Sequence, residues 1–341
     1  MCIAIQEYIS LKNYTTFKTG GAARYFISCT TKEQIILAVS FAKKMNLPFF
    51  VLGEGSNVLV HDKGFEGVIM HVITKGRRYK NNNEVVLATY AAGEILDEIV
   101  EELVKKGYWG LENLSHIPGT VGATPVQNVG AYGVEVSDVI HEVQVYDTRD
   151  NEEKILFNKE CEFSYRDSLF KSKEKGRYII LSVTFRLTPL YRPVLQYKDL
   201  LPLNTNKNIS QEEVRQAIIS IRSKKFPDWK QVGTAGSYYK NPVISNHQAN
   251  VLLKKYPSVP IYDVPNSDSK KISLGWVLDK ICGLKGYREG DVGTYENQAL
   301  VLVNYSLSNT TENILNFSDQ IKKKVYTKTG ICIEEEVTVL F

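Results

Sequence analysis

Residues 117–133 read IPGTVGATPVQNVGAYG, and no charged side chain interrupts them. Four glycines and four short polar side chains leave this stretch without a helical or strand period. Glycine lets a backbone come close to a ligand, and a run of exposed N–H groups can cradle a diphosphate without a lysine. The stretch therefore predicts either a binding loop for a bulky anion or a long structural connector.

A second glycine loop favours the ligand-binding interpretation. Residues 51–60 read VLGEGSNVLV, which predicts a strand, a tight turn and a second strand. The turn does not open a helix, as the dinucleotide fingerprint G-x-G-x-x-G does, and no Gly-Lys-Ser/Thr follows it as in a Walker A loop. Two such loops between apolar runs indicate a flavin dinucleotide lying between two small α+β lobes.

The overall composition is that of an ordinary globular protein. Its 341 residues, 43% hydrophobic and 23% charged, suggest two or three domains. A formal net charge of +4 is too small to indicate nucleic acid binding, but it suits phosphorylated ligands. The N-terminal MCIAIQEYIS lacks the features of a signal peptide, and no apolar run reaches the roughly 18 residues of a spanning helix. We therefore expect a cytoplasmic protein without membrane or nucleic acid partners.

Cysteine and histidine usage indicates neither disulfides nor metal. The five cysteines are odd in number and form no C-x-x-C pair, which predicts free thiols in a reducing compartment. The five histidines show no metal-ligand spacing, so we expect no metal site.

Hydrophobic periodicity predicts an irregular mixture of helices and strands. Thr31 and Ser210 each begin a capping box. We predict helices over 32–46, 95–107, 211–221, 246–255, 273–282 and 311–328, and strands over 23–28, 48–52, 58–60, 85–88, 139–145, 179–187, 299–304 and 331–340. This order favours an α+β fold over a doubly wound sheet. We divide the chain into a first lobe at 1–75, a second lobe at 76–195 and a C-terminal domain at 196–341.

Two polar side chains outside the glycine loops could carry chemistry. Ser237 follows the flexible stretch GTAG, but Tyr239 breaks the pattern G-x-S-x-G and no base stands nearby. A structural loop serine is therefore one interpretation, and an exposed reactive hydroxyl is the other. Arg166 next to Asp167 indicates either a surface ion pair or a guanidinium fork for a ligand carboxylate.

Three consecutive glutamates interrupt the last predicted strand. One face of that strand would carry Ile331, Ile333, Glu335, Val337 and Val339, and the other would carry Glu334 and Glu336. The latter two carboxylates would lie roughly 6–7 Å apart. Neighbouring carboxylates resist joint ionisation, so we expect one to hold a proton near neutrality. The alternative is a solvated strand edge.

Five segments in order resemble the UDP-N-acetylenolpyruvoylglucosamine reductase family, also called UDP-N-acetylmuramate dehydrogenase. They read VLGEGSNVLV, IPGTVGATPVQNVGAYGVEV, SYRDSLFK, GTAGSYYKNPV and IEEEV, and they span nearly the whole chain. The resemblance implies a two-lobed FAD-binding half of the p-cresol methylhydroxylase/vanillyl-alcohol-oxidase (PCMH/VAO) type and a C-terminal α+β substrate-binding domain. It implies non-covalent FAD, NADPH as co-substrate and UDP-N-acetylglucosamine enolpyruvate as substrate, in peptidoglycan precursor synthesis. We further expect a monomer.

The resemblance also implies roles for single residues. Ser237 matches the family's proton donor, and Arg166 matches the arginine that faces the enolpyruvyl carboxylate. Glu336, which precedes Val337, matches the catalytic glutamate, with Glu334 as the second choice. Thr338 stands where the family often has arginine, which puts any role of that arginine in doubt.

Two further sets follow from the same matches. The predicted cofactor-binding residues are Gly53, Gly55, Ser56, Asn57, Gly119, Thr120, Gly122, Ala123, Thr124, Gln127, Asn128, Gly130 and Ala131. The predicted substrate-binding residues are Tyr197, Arg222, Lys225, Lys240, Asn241 and Tyr262.

Two other functions fit parts of the sequence. One is a flavin-dependent oxidase of the same architecture, but such relatives often tether FAD through histidine, and residues 53–60 contain none. The other is a nucleotide-sugar-binding regulator, which would not need Arg166, Ser237 and Glu336 together.

Overall fold

A computed structural model describes residues 3–264, 267–306 and 308–341. The chain forms two compact units, which we call the first and the second unit. The first comprises Met1–Ile9, Ala23–Gly55 and Phe65–Arg222, and the second comprises Ser10–Ala22, Ser56–Gly64 and Ser223–Phe341. Both mix helices with strands, so the α+β prediction is confirmed. The division at residues 75 and 195 stays a prediction.

The helices follow the predicted positions closely. They are α1 Lys32–Lys44, α2 Leu96–Lys105, α3 Gln211–Lys225, α4 Asn246–Lys255, α5 Leu274–Trp276 and α6 Thr311–Thr329. The strands are β1 Gln6–Ser10, β2 Ala22–Cys29, β3 Phe49–Leu52, β4 Val58–Val60, β5 Phe65–Val72, β6 Arg77–Asn81, β7 Val86–Ala91, β8 Gly130–Ala131, β9 Val134–Glu135, β10 Ile140–Asp147, β11 Glu152–Phe157, β12 Tyr178–Leu187, β13 Val243–Ile244, β14 Ile261–Asp263, β15 Lys270–Ile272, β16 Arg288–Glu289, β17 Val292–Thr294, β18 Leu302–Asn304 and β19 Thr338–Leu340. Thr31 and Ser210 accept the backbone N–H of the residue three positions on, which confirms both predicted helix starts.

Two sheets build the first unit around one core. Strands β1, β2, β5 and β3 form a sheet in which β5 runs parallel to β2 and β3, because α1 carries the chain across between β2 and β3. Strands β11, β10, β12, β7 and β6 form an antiparallel sheet. Ile35 of α1, Ile99 of α2 and Val183 of β12 belong to the same buried core.

The sequence prediction missed the two edge strands of the larger sheet. β6 reads RRYKN and β11 reads EEKILF, so neither shows a clear apolar alternation. Charged side chains are common on edge strands, where they discourage pairing with another chain. Such strands carry little hydrophobic signal.

The second unit contains small sheets and three departures from prediction. The predicted strand over 331–340 is wrong except for β19, which pairs in parallel with β4. The chain first pairs at Glu335 with Tyr239 and then changes partner, since the Thr338 N–H donates to the Asn57 carbonyl at 3.0 Å. The predicted strand over 299–304 shrinks to β18. The predicted helix over 273–282 is α5 continued by a π-helix at Val277–Ile281.

Two further sequence predictions concern the state of the cysteines and the presence of membrane-spanning helices. Cys29, Cys161, Cys282 and Cys332 are free thiols, whereas Cys2 lies outside the described residues. None of the helices described is both long and apolar enough to cross a membrane.

Candidate functional site

The two glycine loops meet within the first unit. The N–H of Gly119 donates to the Glu54 carboxylate at 2.6 Å. A Cβ added to Gly53 would clash with the Thr120 hydroxyl, so only glycine allows this approach. The two loops that the sequence analysis singled out are therefore packed against each other.

The long loop is anchored to the connection between β7 and α2. The N–H groups of Val121 and Gly122 donate to the carbonyls of Glu94 and Ala92, each at 2.8 Å. A Cβ on Gly122 would lie 2.6 Å from the Ala92 Cβ. The close packing of the long loop against Ala92 thus requires a glycine at position 122, independently of any ligand.

The turn between β3 and β4 has the features of an anion cradle. Among the described residues, no backbone hydrogen bond uses the N–H groups of Gly53, Glu54 or Gly55. Gly55 has φ +64°, a left-handed conformation that glycine adopts without strain. Successive N–H groups in such a turn form a concave site for phosphate. These residues fit the diphosphate of a flavin dinucleotide.

Arg166 lies at the tip of a tight turn beside the long loop. The backbones of Ser164 and Asp167 exchange hydrogen bonds of 3.1 and 3.2 Å, and Arg166 between them has φ +56°. Its Nη2 donates to the Gly130 carbonyl at 2.8 Å. A left-handed arginine costs about 1–3 kcal/mol and persists only where its surroundings hold it. The structure thus brings Arg166 to a predicted cofactor-binding residue.

Asn128 braces this arrangement. Its side-chain amide donates to Glu135 at 2.7 Å and to the Ser164 carbonyl at 3.1 Å, and it accepts the Ser137 N–H at 3.1 Å. The amide therefore connects the loop to the turn of Arg166. Contact of Asn128 with FAD stays a prediction.

Asn57, Ser237 and Glu336 occupy adjoining backbone segments in the second unit. The Glu336 N–H donates to the carbonyl of Tyr238, the residue after Ser237, at 2.7 Å. The Asn57 amide donates to the Glu336 carbonyl at 3.2 Å. Ser237 is half-buried and bridges to Val301. Three predicted site residues, far apart in sequence, are therefore neighbours.

The three glutamates have different surroundings. The Glu334 carboxylate is 78% exposed and lies 3.5 Å from the Lys240 ammonium. Glu335 forms an ion pair with Lys322 of α6. Each has a cation beside it, which offsets the repulsion expected between neighbouring carboxylates. Glu336 is half-buried, and its backbone N–H and carbonyl are both hydrogen-bonded. The choice of Glu336 over Glu334 as the catalytic carboxylate stays a prediction.

Arg222 and Tyr197 come together through a residue that the sequence analysis did not select. Arg222 Nε donates to the His116 carbonyl at 2.9 Å, and its guanidinium hydrogen-bonds with Tyr132. The Tyr132 and Tyr197 rings pack edge to face with centroids 5.3 Å apart. Burial lowers the pKa of Arg222 and raises that of Tyr132. The sequence signal that could have identified Tyr132 is its place near the end of the long glycine loop.

The other predicted substrate residues belong to the second unit. Lys225 ends α3, and the Asn241 side chain accepts the Leu274 N–H at 2.9 Å at the start of α5. Tyr262 is 50% exposed on β14. Lys240 is engaged with Glu334. Their contact with a ligand stays a prediction, as does that of Ser56, Ala123, Thr124, Gln127 and Ala131 with FAD.

Comparison with protein families covers both units. A family model described as an FAD binding domain matches residues 23–153. A second model, described as the C-terminal domain of UDP-N-acetylenolpyruvoylglucosamine reductase, matches residues 228–340.

Individual proteins match over nearly the full chain. The UDP-N-acetylenolpyruvoylglucosamine reductase of Bdellovibrio bacteriovorus is 39% identical over 97% of this chain and 98% of its own. That of Neisseria gonorrhoeae is 38% identical over 97% and 96%. The crystal structure of UDP-N-acetylenolpyruvylglucosamine reductase from Thermus caldophilus covers all of both chains with a TM-score of 0.68 at 23% identity, which shows a shared fold.

Proposed function

Because the chain belongs to the UDP-N-acetylenolpyruvoylglucosamine reductase family, we propose that it reduces UDP-N-acetylglucosamine enolpyruvate to UDP-N-acetylmuramate with NADPH. FAD, when bound, carries hydride from NADPH to the enolpyruvyl C3 carbon. The observation that best supports this is the meeting of the two glycine loops, through Glu54 and Gly119, beside free backbone donors at residues 53–55.

The protein's own residues bind, orient and supply a proton. The backbone N–H groups of Gly53 and Gly55 would hold the FAD diphosphate, and the tight Gly53–Thr120 contact would fix the loop that carries them. Arg166 would receive the substrate carboxylate, since a guanidinium fork matches its two oxygens. The Gly130 carbonyl orients that fork.

Glu336 and Ser237 would act at the reacting carbons. Arg166 would stabilise the enolate with its fixed positive charge, and Glu336 would do so in its protonated form by donating a hydrogen bond, because neither group has to reorganise as charge develops. Ser237 would give a proton to C2, which completes the lactyl ether. The hydrogen bonds from Glu336 to Tyr238 and from Asn57 to Glu336 would keep the Ser237 hydroxyl and the Glu336 side chain close to each other.

The cellular setting is part of the same proposal. An enzyme with this product acts in peptidoglycan precursor synthesis and thus in cell wall biogenesis, cell shape and division. We propose that it works in the cytoplasm as a monomer.

The test separates the two half-reactions. Anaerobic NADPH should bleach the flavin absorbance of the purified protein, and UDP-N-acetylglucosamine enolpyruvate should then restore it without oxygen. A protein that bleaches but is restored only by oxygen would be an oxidase or a diaphorase, and a protein without flavin would be a regulator.

A further inference from the structure

An ion pair between a buried arginine and a half-buried aspartate links two helices of the first unit to the start of the long glycine loop. Arg215 of α3 is 6% exposed, and its Nη1 lies 2.6 Å from Asp97 Oδ1 in the first turn of α2. The same Asp97 oxygen accepts the His116 N–H at 2.6 Å. Burial acts to raise the pKa of Asp97, but the hydrogen bonds from Arg215 and His116 outweigh it and lower that pKa.

The backbone of His116 connects Asp97 to Arg222. It has φ +61°, a conformation that few non-glycine residues adopt, so something must hold it there. With the N–H fixed by Asp97, the carbonyl of the same residue accepts from Arg222 Nε at 2.9 Å. Arg215 and Arg222 are two turns apart on one face of α3, so one helix supplies both ends of the connection.

The guanidinium held in this way lies beside the long glycine loop. His116 directly precedes the long loop at residues 117–133, and Tyr132 of that loop hydrogen-bonds with Arg222. The Asn113 amide fixes the Tyr132 carbonyl at 2.8 Å and the Val194 carbonyl at 2.9 Å. A guanidinium whose Nε is fixed presents its planar fork in one orientation, and such a fork matches the oxygens of a phosphate.

We propose that Asp97 and Arg215 are positioning residues that act through the backbone of His116 to hold Arg222 as a preformed diphosphate-binding group. The inference rests on the proposed function, which supplies ligands that all carry a diphosphate. FAD and the nucleotide substrates share this chemistry, and separate binding measurements distinguish them.

The experiment measures binding rather than turnover. The variants are Arg215→Met, Arg222→Met and the double variant, with Arg177→Met as the matched control. Arg177 likewise pairs with an aspartate of the first unit, the fully buried Asp147, at 2.7 Å. One arm titrates FAD into apoprotein, and the other titrates NADPH and UDP-N-acetylglucosamine into FAD-loaded protein.

The proposal predicts that Arg222→Met and Arg215→Met each raise the Kd of one ligand class by about tenfold or more. In the double variant, Arg215→Met should not raise the Kd any further, because Arg222, the residue that Arg215 positions, is already absent. The arm that responds identifies the ligand class. Arg177→Met should bind both classes as the wild type does.

Two results would overturn the proposal. One is an Arg215→Met variant whose Kd values equal those of Arg177→Met, and the other is additive effects in the double variant. If Arg215→Met does not fold, Asp97→Asn replaces it, since it keeps an acceptor for His116 but removes the charge facing Arg215. Wild-type protein that binds these ligands without reducing the enolpyruvyl substrate would contradict the proposed function alone.

Discussion

Ser237 is the residue whose predicted role is most directly testable. Its backbone is held by the bridge to Val301, so Ser237→Ala should leave the fold intact. Its hydroxyl is uncharged, and removing it should barely change ligand electrostatics. We expect the variant to keep its FAD and to bleach normally with NADPH, while turnover falls by at least about a hundredfold. Ser237→Cys should recover part of the loss, because a thiol can also donate a proton.

Stopped-flow flavin absorbance follows each half-reaction in these variants. Ser308→Ala, at an exposed serine of the same unit, is the control and should match the wild type. Reoxidation of Ser237→Ala by substrate at the wild-type rate would mean that another group supplies the proton.

A substitution at Arg166 tests whether the geometry of the guanidinium donors matters in addition to their positive charge. Arg166→Lys keeps the positive charge but loses the paired donors, one of which reaches the Gly130 carbonyl. We expect bleaching by NADPH to persist and reoxidation by substrate to slow by about tenfold or more, the worth of one hydrogen bond to a charged group. Arg149→Lys, whose side chain is 65% exposed, is the control. Equal slowing of both half-reactions would assign Arg166 to the fold or to NADPH.

At the scale of elements, the long loop depends on its close approach to the β7–α2 connection. Gly122→Ala would place a Cβ 2.6 Å from that of Ala92, so the loop must shift and FAD affinity should fall. Gly122→Asp should weaken FAD binding further, because it adds a negative charge to the loop that we propose to face the diphosphate. Titration of apoprotein with FAD gives both values.

Gly176→Ala controls for a destabilising glycine replacement away from the loop. A Cβ there meets nothing within 4 Å, but φ +81° strains an alanine, so stability should fall while FAD affinity stays unchanged. If Gly122→Asp purifies with full flavin, the loop does not face the diphosphate. Equal FAD affinity in the Ala and Asp variants would assign the whole effect to packing.

The end of β10 carries a buried acid that ties it to the start of β12. Arg177 lowers the pKa of Asp147 far below its usual value of 3.8, and Lys154 adds to this at 2.8 Å. A depressed folded-state pKa gives stability that is full above the unfolded value and is lost only as pH falls through the folded one. Asp147→Asn should therefore lower the urea midpoint equally at pH 7 and pH 5.

Below about pH 3.8 the wild type gradually loses this contribution, so the gap between the two proteins should narrow. Urea unfolding at pH 7, 5 and 3 provides the comparison. A gap that is absent at pH 7 would show that the cluster does not stabilise the folded protein.

For the whole molecule, we predict that FAD is bound tightly but not covalently. Residues 51–60 carry no side chain able to attach to the flavin ring. Denaturation and precipitation should leave all the yellow colour in the supernatant. Colour in the pellet would reveal a covalent bond, and a peptide containing His116, at the start of the other glycine loop, would be the first to sequence.

Much of the fold was predictable from local sequence signals. Helices α1, α3, α4 and α6 begin at side chains that cap them and end within a few residues of the predicted positions, because capping and apolar period act over one or two turns. The predicted strands β10 and β12 also exist, since both alternate clearly. The edge strands β6 and β11 were not predicted, because polar sequences at a sheet edge lack that alternation.

The sequence by itself identified the segments that we propose to bind and react: two glycine loops, an arginine turn, a serine after GTAG and a run of glutamates. Only the tertiary structure decided how these residues are held. The last segment switches from pairing with Tyr239 to pairing with Asn57, and a lysine stands beside each of Glu334 and Glu335. The tertiary structure also decided that Asp97, His116, Arg215 and Arg222 form one connected group. The physical reason is that most of these contacts join residues about a hundred or more positions apart, and pairing at such separation leaves no periodic trace in the chain.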